Sequence, residues 1–229
     1  MRLCAQPGAR GRSAVPVARY DANSIDFTAK GLGMSTQTPH ISSPSRVPAN
    51  ASPSGDGIVV GAGPVQVDAF IDFLCPFCKQ FEGRCGPLLD ELVADEAISL
   101  VYHPMGFLDG LSTTRYSSRA SAASGCASDG GHFMEYLYAL FANQPPEGGP
   151  GLSDDELVEL GRGVGLADSS FGACVREGVY LDWSSYVTAT AVQRGVGGTP
   201  TVAVQGVAVP ASPQTILAAV RAALAGGGG

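Results

Sequence analysis

An α/β domain interrupted by a block of helices is the fold class the sequence predicts. Three observations carry it: strand-like runs at 58–60, 65–73 and 98–102, a second group of strands at 201–209, and helical spacing with no strand pattern through 113–196. In the second run Val65, Val67, Ala69, Ile71 and Phe73 alternate with Gln66, Asp68, Phe70 and Asp72, the period of a pleated strand. Residues 76–95 carry apolar side chains at helical spacing, and Gly83, Gly86 and Pro87 mark a kink. The run at 98–102 ends at His103-Pro104. Within the helical block, Ser153-Asp154-Asp155-Glu156 is a capping box, and 132–142 is an aromatic-rich helix stopped before Pro145-Pro146. Residues 201–204 and 207–209 flank Gln205-Gly206 as a hairpin. Ser212-Pro213 opens a last helix that runs to about Ala225. The order is β-β-α-β, the helical block, then β-β-α.

Composition narrows the function. With 14 basic and 21 acidic residues the formal charge is −7, which disfavours a broad basic surface for nucleic acid. No apolar run is long enough for a membrane span. Residues 1–57 are rich in Ser, Pro, Asn, Thr and Gly, and 36–57 have almost no large apolar side chains, so 1–57 are expected to form a disordered or artefactual tail. Met34 offers an internal start within it. The opening residues hold arginines but no apolar stretch of about 7–15 residues, as a secretory signal needs. A cytoplasmic location is expected, with an extracytoplasmic one as the alternative.

Six cysteines in 229 residues are too sparse for a disulfide-stapled scaffold and too dispersed for a four-cysteine zinc site, since only Cys75 and Cys78 form a close pair. That pair, Cys75-Pro76-Phe77-Cys78, follows a strand and opens a helix. A thiolate there meets unpaired N–H donors and the positive end of the helix dipole, which lowers its pKa. A second thiol three residues on lies within one turn and can resolve a mixed disulfide. Pro76 suits the first helical position because it has no N–H to leave unsatisfied. Half of a zinc site would look the same, but no second close pair of ligands accompanies it, so no metal is expected.

Phe70 to Lys79 around the cysteines, and Gly198-Thr199-Pro200-Thr201 about 120 residues later, resemble the DsbA-like thiol–disulfide oxidoreductases of the thioredoxin superfamily. Thr113 to Ser117 and Leu140 to Glu147 resemble its bacterial thioredoxin-like members. The resemblance covers roughly residues 58–225 and implies a thioredoxin fold, at 58–112 and 197–225, with a helical domain at 113–196 inserted after the third strand. It further implies that Cys75 is an exposed nucleophile and Cys78 a buried resolving thiol. Pro200 becomes a cis-proline facing them, and Thr199 offers backbone groups to a substrate peptide beside Pro76 and Phe77. The partners are then cysteine-containing protein substrates and an unidentified redox partner, with no metal or organic cofactor. The resemblance includes members with a structural disulfide across the helical block, and Cys126 and Cys174 fit it; read by themselves they are two small apolar side chains. Family members commonly carry an export signal or anchor, and the strongest oxidants have histidine where Phe77 stands; this sequence departs on both points.

Two further residues are accessory candidates. Asp72, three before Cys75, is a proton acceptor during exchange or an ordinary hydrogen-bonded acid. His103, at the end of a strand parallel to that of Cys75, borders the site or is a satisfied core histidine. Cys85, seven residues past Cys78, reads as a small buried thiol, and Trp183, Tyr186 and the aromatics of 133–141 as core. The function expected is a dithiol oxidase of protein cysteines. The alternatives are a thioredoxin-like reductase, and a peptide-binding or chaperone module whose thiols are incidental.

Overall fold

A computed structural model describes residues 41–167 and 169–226. Five strands form one sheet in the order β1-β3-β2-β4-β5. β1 (Ile58–Val60) runs antiparallel to β3 (Ile98–Pro104), and β3 runs parallel to β2 (Val65–Ile71) from Val65 opposite Ile98 to Ile71 opposite Pro104. On the other side of β2, β4 (Thr201–Val204) pairs antiparallel, followed by β5 (Val207–Val209). The central strand is buried at every residue but Gln66, which a position between two neighbours requires. The β4–β5 hairpin closes on Gln205 and Gly206, both with positive φ, the geometry whose twist matches the two strands.

α1 (Pro76–Ala94) joins β2 to β3 and keeps Pro87 inside one helix. Between β3 and β4 come a 3₁₀ turn at Asp109–Leu111 and five helices: α2 (Tyr116–Asp129), α3 (Phe133–Ala142), α4 (Asp154–Gly163), α5 (Ser169–Arg176) and α6 (Leu181–Gln193). α7 (Pro213–Gly226) ends the described chain. Ser153 caps α4 as its sequence requires: its hydroxyl accepts from the Glu156 N–H at 3.3 Å, and its own N–H donates to Glu156 Oε2 at 2.7 Å. Trp183, Tyr116, Tyr136 and Tyr180 are fully buried and form the core of the helical block. No helix of the described residues is long and apolar enough to cross a membrane.

The expected tail needs correction where it is described. Residues 1–40, with Cys4 and Met34, lie outside the described residues, but 45–57 form a strap along α2, α6 and β1. The Ser45 N–H and hydroxyl donate to Asp182, and the Ala49 N–H donates to Asp129 at 2.8 Å. Ser128 and Tyr186 donate their hydroxyls to the carbonyls of Ala49 and Ser54, and the Trp183 indole N–H donates to that of Gly55 at 2.7 Å. Ala51 bridges to Ile58, and Pro48 is buried beside Gly125 of α2. Poverty in apolar side chains suggested disorder. Hydrogen bonds from the backbone to side chains far along the chain supply the order instead.

Candidate active site

The site begins where the central strand stops. β2 ends at Ile71, and Asp72, Phe73 and Leu74 turn the chain into α1, whose N-cap is Cys75 and whose first residue is Pro76. No side chain caps this helix and no acid occupies its first turn, so its leading N–H groups are left for the sulfur. Both cysteines are free thiols. A hydrogen bond from the Cys78 thiol draws Cys75 down to about 6, against the opposing effect of burial, with help from the Thr199 hydroxyl and the N–H groups of Cys78 and Phe77. Burial and the neighbouring Cys75 sulfur push Cys78 far above the ordinary thiol range. One sulfur is thus prepared as a thiolate and the other held as a thiol.

The Thr199–Pro200 bond is cis, and in its protonated form the Cys75 thiol donates to the Thr199 carbonyl at 3.3 Å. The loop before β4 therefore meets the cysteine pair, and Pro200 and Thr199 stay half-buried at its rim. Phe77 is 63% exposed and Pro76 is exposed, so an apolar surface flanks the pair. The expectation of an exposed nucleophile is corrected: Cys75 is only 4% exposed against 0% for Cys78. Its sulfur points toward Thr199 and the start of α1 and not outward.

Asp72 is fully buried beside the pair. Its N–H donates to Cys78 Sγ at 3.4 Å, and its carboxylate accepts from Leu74 N–H, Leu108 N–H and the Ser117 hydroxyl at 2.7–2.8 Å. Burial raises it to about 6 against the pull of those three donors. His103 lies elsewhere. Its Nδ1 meets the Asp56 carbonyl at 2.6 Å, its Nε2 meets Asp68 at 3.0 Å, and its ring stacks on Phe70 at 4.2 Å. That makes it a satisfied core histidine that ties the strap to the sheet, the second of the two readings. Cys85 is buried on α1, and its thiol reaches only the Ala211 carbonyl, at 3.9 Å. Cys126 and Cys174 are joined, Cα to Cα 6.0 Å, linking α2 to α5.

Sequence reasoning missed the donors around the turn. Ser117 lies within a segment quoted for the family resemblance, and so does Gln144, whose side-chain amide donates to the carbonyls of Phe73 and Cys75. Neither carries a pattern of its own. Glu82, one turn past Cys78, is a further buried acid; burial pushes it up to about 8, and it accepts from the Tyr102 hydroxyl at 3.2 Å, tying α1 to β3.

The lowered Cys75 thiol gives a direct expectation. Alkylation of reduced protein should rise from pH 5 to 7 with a midpoint near 6 and then flatten, where a free thiol keeps climbing to about 8.5. The sign for stability follows. A depressed acid stabilises the reduced fold above its unfolded value, so Cys75 contributes more as pH rises from about 6 to 9 and loses that contribution on the way back down. Asp72, raised, acts oppositely and costs stability as pH climbs from 3.8 to about 6. An alkylation midpoint at or above that of free cysteine contradicts the site as described.

Fold and site together define the class: a thioredoxin-fold protein with a pair of free cysteines at the start of α1. A family model described as thioredoxin matches residues 54–222. Among solved structures the chain is similar to the reduced disulfide bond oxidoreductase DsbG of Mycobacterium tuberculosis, at 32% identity and TM-score 0.65, covering 75% of this chain and 88% of that one. Reduced DsbA of the same organism is similar at 31% identity and TM-score 0.64, over 72% of this chain and 91% of that one. The chain belongs to the DsbA-like thiol–disulfide oxidoreductases of the thioredoxin superfamily. It is also 33% identical over 135 residues to the serine/threonine-protein kinase PknE of Mycobacterium tuberculosis, 55% of this chain, and spans about a quarter (24%) of the length of the curated relatives it matches.

Proposed function

We propose that the protein is a dithiol oxidase of cysteine-containing proteins, with Cys75 as nucleophile and Cys78 as resolving thiol. In the oxidised enzyme these two share a disulfide. A substrate thiolate attacks Cys75 Sγ, forming a mixed disulfide, and the bond to Cys78 breaks with its electron pair on Cys78. Cys78 takes up a proton, and Asp72, a buried acid raised to about 6 and close enough to feel the Cys75 charge, is the group proposed to trade it. The substrate's second thiolate then attacks the substrate sulfur of the mixed disulfide and expels Cys75 as a thiolate. The substrate has lost two electrons, the enzyme has gained them, and a redox partner of the same exchange chemistry removes them.

The observation that carries the oxidising direction is the stabilised Cys75 thiolate. It favours the reduced enzyme and makes Cys75 the better leaving group. Thr199 and Pro200 form the rim against which a peptide would lie extended, and Pro76 and Phe77 give it an apolar floor. The Cys126–Cys174 bridge favours the extracytoplasmic alternative, against the cytoplasmic location expected from the missing apolar stretch.

The reduction potential of the Cys75–Cys78 couple against glutathione tests the direction. The expected value lies between about −270 mV and −120 mV: above the thioredoxin end because the Cys75 thiolate is stabilised, and below the most oxidising end because Phe77 brings no charge of its own to it. A value at or below about −270 mV makes the protein a reductase.

A further inference from the structure

Among the described residues, one side chain of the inserted helical block hydrogen-bonds the backbone of Cys75. Gln144 follows α3, and its Nε2 donates to the Phe73 carbonyl at 2.9 Å and to the Cys75 carbonyl at 3.0 Å. Both partners are acceptors only, so the NH₂ end of the amide faces the turn and both of its hydrogens are used. The Cys75 carbonyl already accepts from the N–H groups of Cys78 (3.1 Å) and Lys79 (3.2 Å), so Gln144 is a third donor, acting from outside the helix.

The segment that presents Gln144 is itself held. Gly148 N–H donates to the Leu111 carbonyl at 2.7 Å, and Thr113 N–H donates to the Gly149 carbonyl at 3.0 Å. The 3₁₀-turn loop on that side is hooked to Asp72 through Leu108 N–H at 2.8 Å. The turn between β2 and α1 is thus gripped on one side at Asp72 and on the other at Phe73 and Cys75. Among the described residues, nothing else in the helical block donates to the Cys75 carbonyl.

We infer that Gln144 is a positioning residue for exchange, fixing the Phe73–Cys75 turn so that the Cys75 sulfur sits against the first N–H groups of α1 and against Thr199. This rests on Cys75 being the nucleophile. Without the amide the Cys75 peptide is free to tilt, the N–H groups of Phe77 and Cys78 lose their aim at the sulfur, and the thiolate loses its support. The positive end of the amide also leaves the neighbourhood of the developing charge.

The test is the pH profile of Cys75 alkylation in reduced Q144A and Q144E, with N143A as control. Q144E keeps the shape but cannot donate when ionised. In both Gln144 variants the alkylation rate at pH 5, below the midpoint, is expected to fall about fivefold, the worth of one hydrogen bond, and the midpoint to move upward, while rates at pH 9 converge. N143A loses the bond from Asn143 Nδ2 to the Ala139 carbonyl of α3, one residue before Gln144, and keeps the wild-type profile. If Q144A does not fold, Q144E decides alone. Wild-type profiles in the Gln144 variants, or an equal shift in N143A, overturn the inference. A wild-type midpoint near that of free cysteine instead overturns the reading of Cys75, so the two failures are told apart.

Discussion

Cys75→Ser is expected to abolish exchange between the protein and any dithiol substrate, and Cys78→Ser to accumulate mixed disulfides through Cys75. A serine hydroxyl neither ionises near neutral pH nor forms a disulfide, so the helix N–H groups and Thr199 have no thiolate to support. In Cys78→Ser the nucleophile survives but its buried resolving partner does not, and a single attacked substrate stays attached. Both positions are almost fully buried, and replacing sulfur with the smaller oxygen leaves a void well below the size of a methyl group, so the fold should hold. Non-reducing electrophoresis and mass mapping read the result, against a dithiol peptide for Cys75→Ser and against a disulfide-bonded peptide for Cys78→Ser, where the Cys75 thiolate attacks one sulfur of the peptide and releases the other as a thiolate. Exchange that persists in Cys75→Ser removes Cys75 as the nucleophile, whereas peptide binding or chaperone activity that survives in Cys75→Ser, with no exchange in the parent protein, favours a peptide-binding module with incidental thiols.

Cutting the second cysteine pair should be felt as stability. Cys126 and Cys174 are 48 residues apart, and in the chain-entropy account a bridge of that span contributes about 4 kcal/mol. For a domain of this size the C126A/C174A double variant should melt about 10 °C lower. The loss is expected to spread to the strap. Ser128 and Asp129 at the end of α2 hold the Ala49 carbonyl and N–H, and Asp129 accepts from the Tyr180 hydroxyl at 2.5 Å as well. Protease cleavage within 45–57 should therefore rise with the fall in melting temperature. An unchanged melting temperature, with both thiols free in the parent protein by mass mapping, would refute a stabilising bridge.

What the sequence determined by itself was whatever depends on neighbours within a turn or two. The alternation of 65–71, the Ser153 capping box, the Gln205-Gly206 hairpin and the strand–Cys75-Pro76-Phe77-Cys78–helix passage are all local, because backbone geometry and cap chemistry are set by residues a few positions apart. Pro200 and the Cys126–Cys174 pair were legible only through family resemblance, since nothing in their own surroundings names a partner. Tertiary structure decided the rest. His103 could be assigned to the core and away from the cysteines only once Asp56, Asp68 and Phe70 were seen around it. The strap at 45–57 is ordered by bonds spanning up to 137 residues, and Gln144 meets Phe73 across 71. Such bonds join groups every residue carries, backbone carbonyls and N–H groups, to common polar side chains, so they leave no period or motif in the chain. They exist only when folding brings the two ends together.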